Sequence, residues 1–535
     1  MTAVPSIPAG WALAELLSGF APVPVAADVH VERLTLDSRD AGPGALFLAC
    51  SDGQGHGLEQ AAVVAARGCA AIAAEPDEHW PEAEFAGLGA ELGLPVVAVP
   101  GLGRRSAAIA ARFFSDPSAR MTVFGVIGAG DTAPISHFLA QVLGDELRCG
   151  VIGRLGSGFP GESCIAEPAG ADPVRLQAHL ASLAARGAGA IALECPPRMP
   201  EDEGAAAVRL SHVIVADPEA ATGDLGLPPE QLRPVLEASG LRSVVLNHDD
   251  PACRALVAAA ARPDRGGSSR VVPLIATARQ PALHRIPFGP RLAWYSLDPS
   301  ADLSDADVWV RAERVEALPA GLELRVTTSA GAGAITLDLI GLDNAAGLLA
   351  VLAMLLSRGI ELDQSLAALA GVRGVPGRME GFGGAGVPLV VVDGARTPEA
   401  LARSLTQLRG HSRGRLITVF GCDGASDPHQ RARMGAIAQR LSDAVIVTDD
   451  NPRGGDGAAI CADIVAGMQQ PAQVPLIRQR GLAIRHAIAL AGPDDTVLVA
   501  GKGRETVQDM GELKIRFSDR AQVVQALGEW QGFGA

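Results

Sequence analysis

Four stretches near the end of the chain decide its fold: LVVVDGART (389–397), RLITVFGCDG (415–424), DAVIVTDDNPR (443–453) and DTVLVAGKGRET (495–506). Each is four or five apolar residues ending in a Gly- or Asp-rich polar tip. Such short apolar runs predict strands buried on both faces. Helical stretches separate them, PEALARSLTQL (398–408) and MGAIAQRL (434–441) among them. Strand and helix alternate, which predicts a Rossmann-like parallel sheet with the four tips on one edge, where ligands of open α/β sheets sit.

The grammar extends upstream. MTVFGVIGAG (121–130) reads as a strand entering a Gly-rich turn, followed by the helical ISHFLAQVLG (135–144). Further strands are expected at 189–193, 213–215 and 244–246, giving a doubly wound, mostly parallel sheet. Period-2 stretches such as LELRVTT (322–328) predict antiparallel strands within 308–339, and the apolar run Ala345 to Leu356 predicts a buried helix too short to span a bilayer. The first segment reads as a small α/β unit: strand, Pro/Gly turn, strand, helix, short strand. Asp116-Pro117-Ser118 reads as a linker. The division expected is 1–116, 117–372 and 373–535.

With 535 residues, 48% of them hydrophobic and 20% charged, the chain can bury sizeable cores. The net charge of -15 argues against a general nucleic-acid binder, whose affinity comes from Lys and Arg on phosphates. The eight Cys form no C-x-x-C pair and no Cys/His cluster, which fits reduced thiols in the cytoplasm. The first Arg is Arg33, so no signal peptide is expected. Of the 45 Lys plus Arg, only Lys502 and Lys514 are Lys. Chemistry that needs a Lys amine is therefore excluded before residue 502.

Motif order and spacing across nearly the whole chain resemble the Mur ligases, and within them the UDP-N-acetylmuramoyl-tripeptide synthetases (the MurE branch). The matching pieces are TLDSR (35–39), PGALF (43–47), His56-Gly57, GVIGRLGSG (150–158), VLNHDDP (245–251), VPGRME (375–380), TDDNPR (448–453) and AGKGRET (500–506). The resemblance implies three α/β domains, holding in turn the UDP end of the substrate, ATP and the incoming amino acid. It also implies a reaction in which ATP activates a carboxylate as an acyl phosphate that an amine then attacks. On that branch the amine belongs to meso-diaminopimelate or Lys, and the acceptor is UDP-MurNAc-L-Ala-D-Glu of peptidoglycan synthesis.

Against that pattern, the nucleotide centre departs. The family's phosphate loop falls on Gly128, Gly130, Asp131, Thr132 and Ala133: Thr132 stands at the Lys position and Ala133 at the Mg²⁺-binding hydroxyl. Asp131 adds negative charge; two like charges ~4 Å apart cost about 4 kcal/mol at a surface-like dielectric. The family's carbamylated Lys has no counterpart. Glu194 matches a metal-binding Glu, but Pro196-Pro197-Arg198 replaces the Ser-Ser-His after it, so Glu194 is either a metal ligand or a relic carboxylate. The Thr-Thr-Pro motif is missing around Ala169 to Ala171, and ADPEAATGD (216–224) replaces a polar loop. Asn247 and Asp393 match adenine-side and ribose-side residues, or are turn residues at strand ends; Arg396 replaces a His.

The amino-acid end is better kept. Asp450, Asn451 and Arg453 match the diaminopimelate form of the specificity motif, where an Arg fork holds a distal carboxylate. Gly501 and Glu505 match contacts to the zwitterionic end. Ser426 replaces a second substrate Arg. Alternatively these residues serve folding, Asp450, Asn451 and Glu505 as helix caps. Ser38, Arg39 and His56 fall where the family meets UDP.

The expectation is therefore a MurE-like pseudoenzyme in the cytoplasm, acting as a binding or scaffolding module. Its candidate partners are an active Mur ligase or other cell-wall synthesis protein, and its candidate ligands UDP-MurNAc-peptide or meso-diaminopimelate. The alternatives are a sensor that binds through Arg453 and a working ligase. The ligase would use ATP and Mg²⁺ through a rebuilt phosphate site, with Arg154 or Arg198 for the lost Lys.

Overall fold

The computed structural model describes residues 10–51, 55–128, 132–162, 172–195, 207–216, 240–260 and 290–530. The chain forms two compact units. One comprises Met1–Tyr295, Asp302–Trp309 and Ala353–Gly359; the other comprises Ser296–Ala301, Val310–Leu352 and Ile360–Ala535.

In the first unit, β1 (Arg33–Thr35), β2 (Ala45–Ala49), β3 (Ala71–Ala74) and β4 (Val96–Ala98) form a parallel sheet in that order. The fourth strand goes beyond the sequence reading. The larger sheet of this unit contains β5 (Thr122–Ile127), β6 (Cys149–Gly153), β7 (Gly156–Gly158), β8 (Ala190–Cys195), β9 (His212–Val215), β10 (Ser243–Asn247) and β11 (Arg291–Ser296). Their spatial order is β11-β10-β9-β5-β8-β6-β7. All neighbours are parallel except the β6–β7 edge pair. Every residue of β8, β9 and β10 is buried, as expected for a sheet covered on both faces. β5 lies between β8 and β9: the strands that follow it first, β6, β7 and β8, lie on one side of it and the later β9, β10 and β11 on the other, so the strand order reverses there. Registers Val126↔Glu194 and Ile127↔Val215 bring the start of the Gly128 loop beside Glu194 and Ala216.

In the second unit, β12 (Val308–Leu318, from Val310 onward in this unit), β13 (Gly321–Thr328) and β14 (Gly331–Leu337) pair antiparallel, as the period-2 pattern predicts. The apolar run from Ala345 is the helix Asn344–Ser357. β15 (Glu380–Gly384), β16 (Val387–Asp393), β17 (Leu416–Phe420), β18 (Ala444–Val447) and β19 (Thr496–Ala500) form a sheet ordered β15-β16-β19-β17-β18, parallel apart from β15.

Alternation along these strands splits the core. Val391, Phe420, Val447 and Leu498 pack against Leu401, Leu405, Met434 and Ile464 on one face. Val390, Val392, Ile417 and Val497 pack against Ile484, Ala487 and Val523 on the other. Each fully buried aliphatic side chain contributes roughly 1.5–3 kcal/mol, so this sheet rigidly supports whatever its tips carry. No described helix is long and apolar enough to cross a membrane, and the described cysteines form no disulfide.

Candidate functional site

The parallel register aligns the four polar tips of the second unit. Asp393 lies opposite Ala500, Ala500 opposite Phe420 and Phe420 opposite Val447. The residues that follow, 394–397, 421–427, 448–453 and 501–506, therefore share one edge, as the sequence predicts.

At their centre is a buried charge network. The Lys502 side chain is wholly buried; its Nζ donates to Asn451 Oδ1 at 2.8 Å and Glu505 Oε2 at 2.9 Å, and lies 3.6 Å from Asp450 Oδ1. Asn451 Nδ2 donates to Glu505 Oε2 at 3.0 Å. Arg396 donates to Glu505 through its guanidinium and to Gly501 O at 2.9 Å. Arg480 makes a bidentate pair with Asp519, both nitrogen–oxygen distances 2.7 Å, and donates to Ala500 O at 2.8 Å. Three cations thus balance three carboxylates: Lys502, Arg396 and Arg480 against Asp450, Glu505 and Asp519. Burial raises the Asp450 carboxyl above its ordinary value, against the pull of Arg480 and Lys502. Burial also acts to raise Glu505, but the donors Lys502, Asn451 and Arg396 outweigh it and lower its pKa to about 2.

The lowered carboxyl makes acid stability testable. A depressed pKa contributes stability that is full above the unfolded value, 4.5, and is lost as pH falls through about 2. Asp450, shifted upward, has the opposite sign. Glu505→Gln is therefore expected to flatten the loss of stability between about pH 4.5 and 2, read from denaturant midpoints across pH. Parallel wild-type and variant curves in that window would refute this.

Arg453 and Asp423 form a second pair at the same edge. Arg453 Nε lies 2.8 Å from both Asp423 carboxylate oxygens. Gly501 has φ +116, where a Cβ would stand 3.1 Å from Asp450 Oδ2, so glycine is required for this approach. The capping alternative fails for the three candidates. Asp427 caps Pro428–Leu441 and Asp456 caps Gly457–Ala466, whereas Asp450, Asn451 and Glu505 bond one another's loops. Sequence reasoning missed Lys502, Arg480 and Asp423. The available signal was a rare Lys within three residues of Glu505.

The nucleotide-type residues are tied up within the chain. Asp393 Oδ1 accepts from Ala395 N at 3.0 Å and Ser404 Oγ at 3.1 Å, and Oδ2 accepts from Met379 N at 2.8 Å. Asn247 Oδ1 accepts from Asp249 N at 3.0 Å, the signature of an Asx turn. In the first unit Glu194 has a 3% exposed side chain. Thr132 Oγ1 lies 3.3 Å from its Oε2, Ser136 Oγ 3.4 Å from its Oε1 and Arg154 Nε 3.4 Å from its Oε2. A guanidinium thus sits beside a carboxylate that a cation would otherwise need. Among the described residues no group of three or more His, Cys, Asp or Glu could hold a metal. A Cβ on Gly128 would meet Ala216 O at 2.3 Å, so the strand end has no spare room. With Thr132 for the Lys, Ala133 for the hydroxyl and Glu194 engaged internally, these residues do not fit Mg-ATP by the family arrangement. Gly130, Asp131, Ala169 to Ala171 and Pro196-Pro197-Arg198 lie outside the described residues.

Two of the UDP-side candidates, Arg39 and His56, are also engaged. Arg39 is exposed and pairs with Asp37 at 2.6 Å; Ser38 is half-buried between them in the same turn. His56 is buried; its Nδ1 accepts from Leu58 N at 3.0 Å and its Nε2 lies 2.7 Å from Glu75 O, so it caps the turn Gly57–Gln60. The structure brings Asp450, Asn451, Arg453, Gly501, Glu505 and Arg396 together at one edge, and Thr132, Ala133 and Glu194 at another.

The family model "Mur ligase, glutamate ligase domain" matches residues 377–503. The UDP-N-acetylmuramoyl-L-alanyl-D-glutamate–2,6-diaminopimelate ligase of Alkalilimnicola ehrlichii is 39% identical, over 97% of this chain and 99% of its own length. The enzyme of the same name from Pseudomonas aeruginosa is 35% identical over 94% and 96%. A solved structure of a ligase of that name superposes with TM-score 0.64 at 23% identity, over 97% of this chain and 99% of its own. With the fold shared and identity sustained from end to end, the chain belongs to the Mur ligase family.

Proposed function

We propose that this is a MurE-type protein of cytoplasmic peptidoglycan precursor metabolism that has lost ATP-driven ligation and acts as a binding or scaffolding module. Residues 1–116, 117–372 and 373–535 would be its UDP-substrate-like, ATPase-like and amino-acid-binding-like segments. A fitting partner is an active Mur ligase or another wall-synthesis protein. One observation carries the reading: Glu194, which matches the family's metal-binding Glu, is held by Thr132, Ser136 and Arg154, with Thr132 itself standing at the family's Lys position. Arg can neutralise phosphate charge, but it cannot form the carbamate that a Lys amine forms.

A second reading is favoured by the comparisons, because the relatives cited are named as ligases over nearly their whole length. In it the chain joins meso-diaminopimelate or a related amino acid to UDP-MurNAc-L-Ala-D-Glu. Arg154, 57% exposed and beside Glu194, would then turn outward to a phosphate.

Phosphate release separates the two. The purified chain is given Mg-ATP, UDP-MurNAc-L-Ala-D-Glu and meso-diaminopimelate, beside a Glu194→Ala variant. The expected result is no substrate-dependent release from folded protein. Turnover that the variant loses would overturn the first reading and establish the second.

A further inference from the structure

The corner around Arg453 is built to hold a carboxylate and already holds one. Both Asp423 oxygens lie 2.8 Å from Arg453 Nε, and Asp509 Oδ2 lies 3.6 Å from its Nη1. Asp423 is not there by the chance of a loose loop. Its Oδ1 also accepts from Ala425 N at 2.9 Å, and Gly424 N donates to Asn451 O at 2.8 Å. A Cβ on Gly424 would stand 2.0 Å from Pro452 O, and one on Gly421 2.2 Å from Thr448 O. The 421–427 and 448–453 loops are therefore pressed backbone to backbone. Arg453 itself has φ +50, a left-handed conformation that side chains rarely adopt, and its N donates to Asp509 O at 3.0 Å. The chain holds this geometry so that the guanidinium meets Asp423. Locally, one cation faces two anions.

We propose that Asp423 determines the specificity of the amino-acid site by occupying the seat of a ligand's distal carboxylate. Arg453 is already neutralised, and an incoming carboxylate meets Asp423 and Asp509, a like-charge arrangement that rejects ligands. An amino acid whose far end is uncharged or cationic meets no such barrier. Ser426, short and uncharged, supplies no second cation to offset the two acids. This rests on the reading that the edge at Asp450–Arg453 and Gly501–Glu505 still receives an amino acid.

The test is calorimetry of the full chain with meso-diaminopimelate and, separately, L-lysine, which lacks the distal carboxylate. Wild type is compared with Asp423→Asn, Asp423→Gly and the double variant Asp423→Gly/Arg453→Ala. Thermal midpoints confirm that each is folded. Removing the internal carboxylate should tighten diaminopimelate binding about tenfold or more, with Asp423→Asn intermediate. The gain should vanish in the double variant, and lysine should change far less. A merely structural Asp423 would shift both ligands together and would not require Arg453. Equal diaminopimelate binding by wild type and Asp423→Gly, or absence of binding in both, overturns the proposal. Phosphate release from the same preparations reports separately on the loss of ligation, so either conclusion can fail alone.

Discussion

Replacing Asp519 by Ala is expected to lower the stability of the second unit by about 3–5 kcal/mol, because it leaves a buried guanidinium unpaired. Both side chains of the Arg480–Asp519 pair are fully buried, and the pairing is bidentate at 2.7 Å. The effect reaches the candidate site through the other side of Arg480. It donates to Ala500 O at 2.8 Å and lies 3.5 Å from Asp449 O, bridging the ends of two strands that carry the Gly501–Glu505 and Asp450–Arg453 tips. A double replacement, Arg480→Met with Asp519→Leu, should recover part of the loss, since no charge then remains buried. It should not recover all, because the strand-end carbonyls lose a donor, at about 1–3 kcal/mol for each group left unsatisfied. Guanidinium unfolding of the three proteins gives the ordering wild type, double, single. A single variant within about 1 kcal/mol of wild type, inside the range of an exposed pair, would show that Arg480 finds another partner or water.

The strand ends were legible because their signal is local. LVVVDGART, RLITVFGCDG, DAVIVTDDNPR and DTVLVAGKGRET each carry a strand end and its polar tip, and parallel register brings the tips together. β4 was missed because three residues between Pro95 and Pro100 carry no period. The state of the site was less legible than its position. Arg453 reads as an open carboxylate receptor until Asp423, thirty residues away, is seen against it. Glu194 reads as an isolated acid until Arg154, forty residues away, is placed at 3.4 Å. Such pairings depend on which loops touch, and for Arg453 and Asp423 the close backbone approach at Gly421 and Gly424 decides that. The missing Lys, by contrast, needed no structure: composition excluded it from the whole of the chain before residue 502.

Gly377→Ala is expected to cost about 2–5 kcal/mol, combining a left-handed side-chain penalty with overpacking against backbone. Gly377 has φ +68, and a Cβ there would stand 2.2 Å from Arg504 N and 2.4 Å from Gly503 C. Gly503, at φ +54, would in turn place a Cβ 2.7 Å from Gly377 O and 3.0 Å from Gly394 Cα. Three loops thus stack with no side chain between them, and no rotamer change can relieve the overlap. Gly377 N also donates to Glu380 Oε2 at 2.7 Å, and Arg520 clamps both Glu380 oxygens at 2.7 and 2.8 Å, so the Gly377 loop cannot retreat freely. The 501–506 loop must yield instead, taking Lys502 and Glu505 with it. Gly386→Ala isolates the two contributions: Gly386 has φ +100 and nothing within 4 Å, so it incurs the conformational penalty without the clash. The difference between the variants in unfolding free energy measures the contact. Any amino-acid affinity that depends on Glu505 should weaken in Gly377→Ala and be unaffected in Gly386→Ala. Equal stability losses in the two would mean that the loops are not held together as tightly as their backbone distances require.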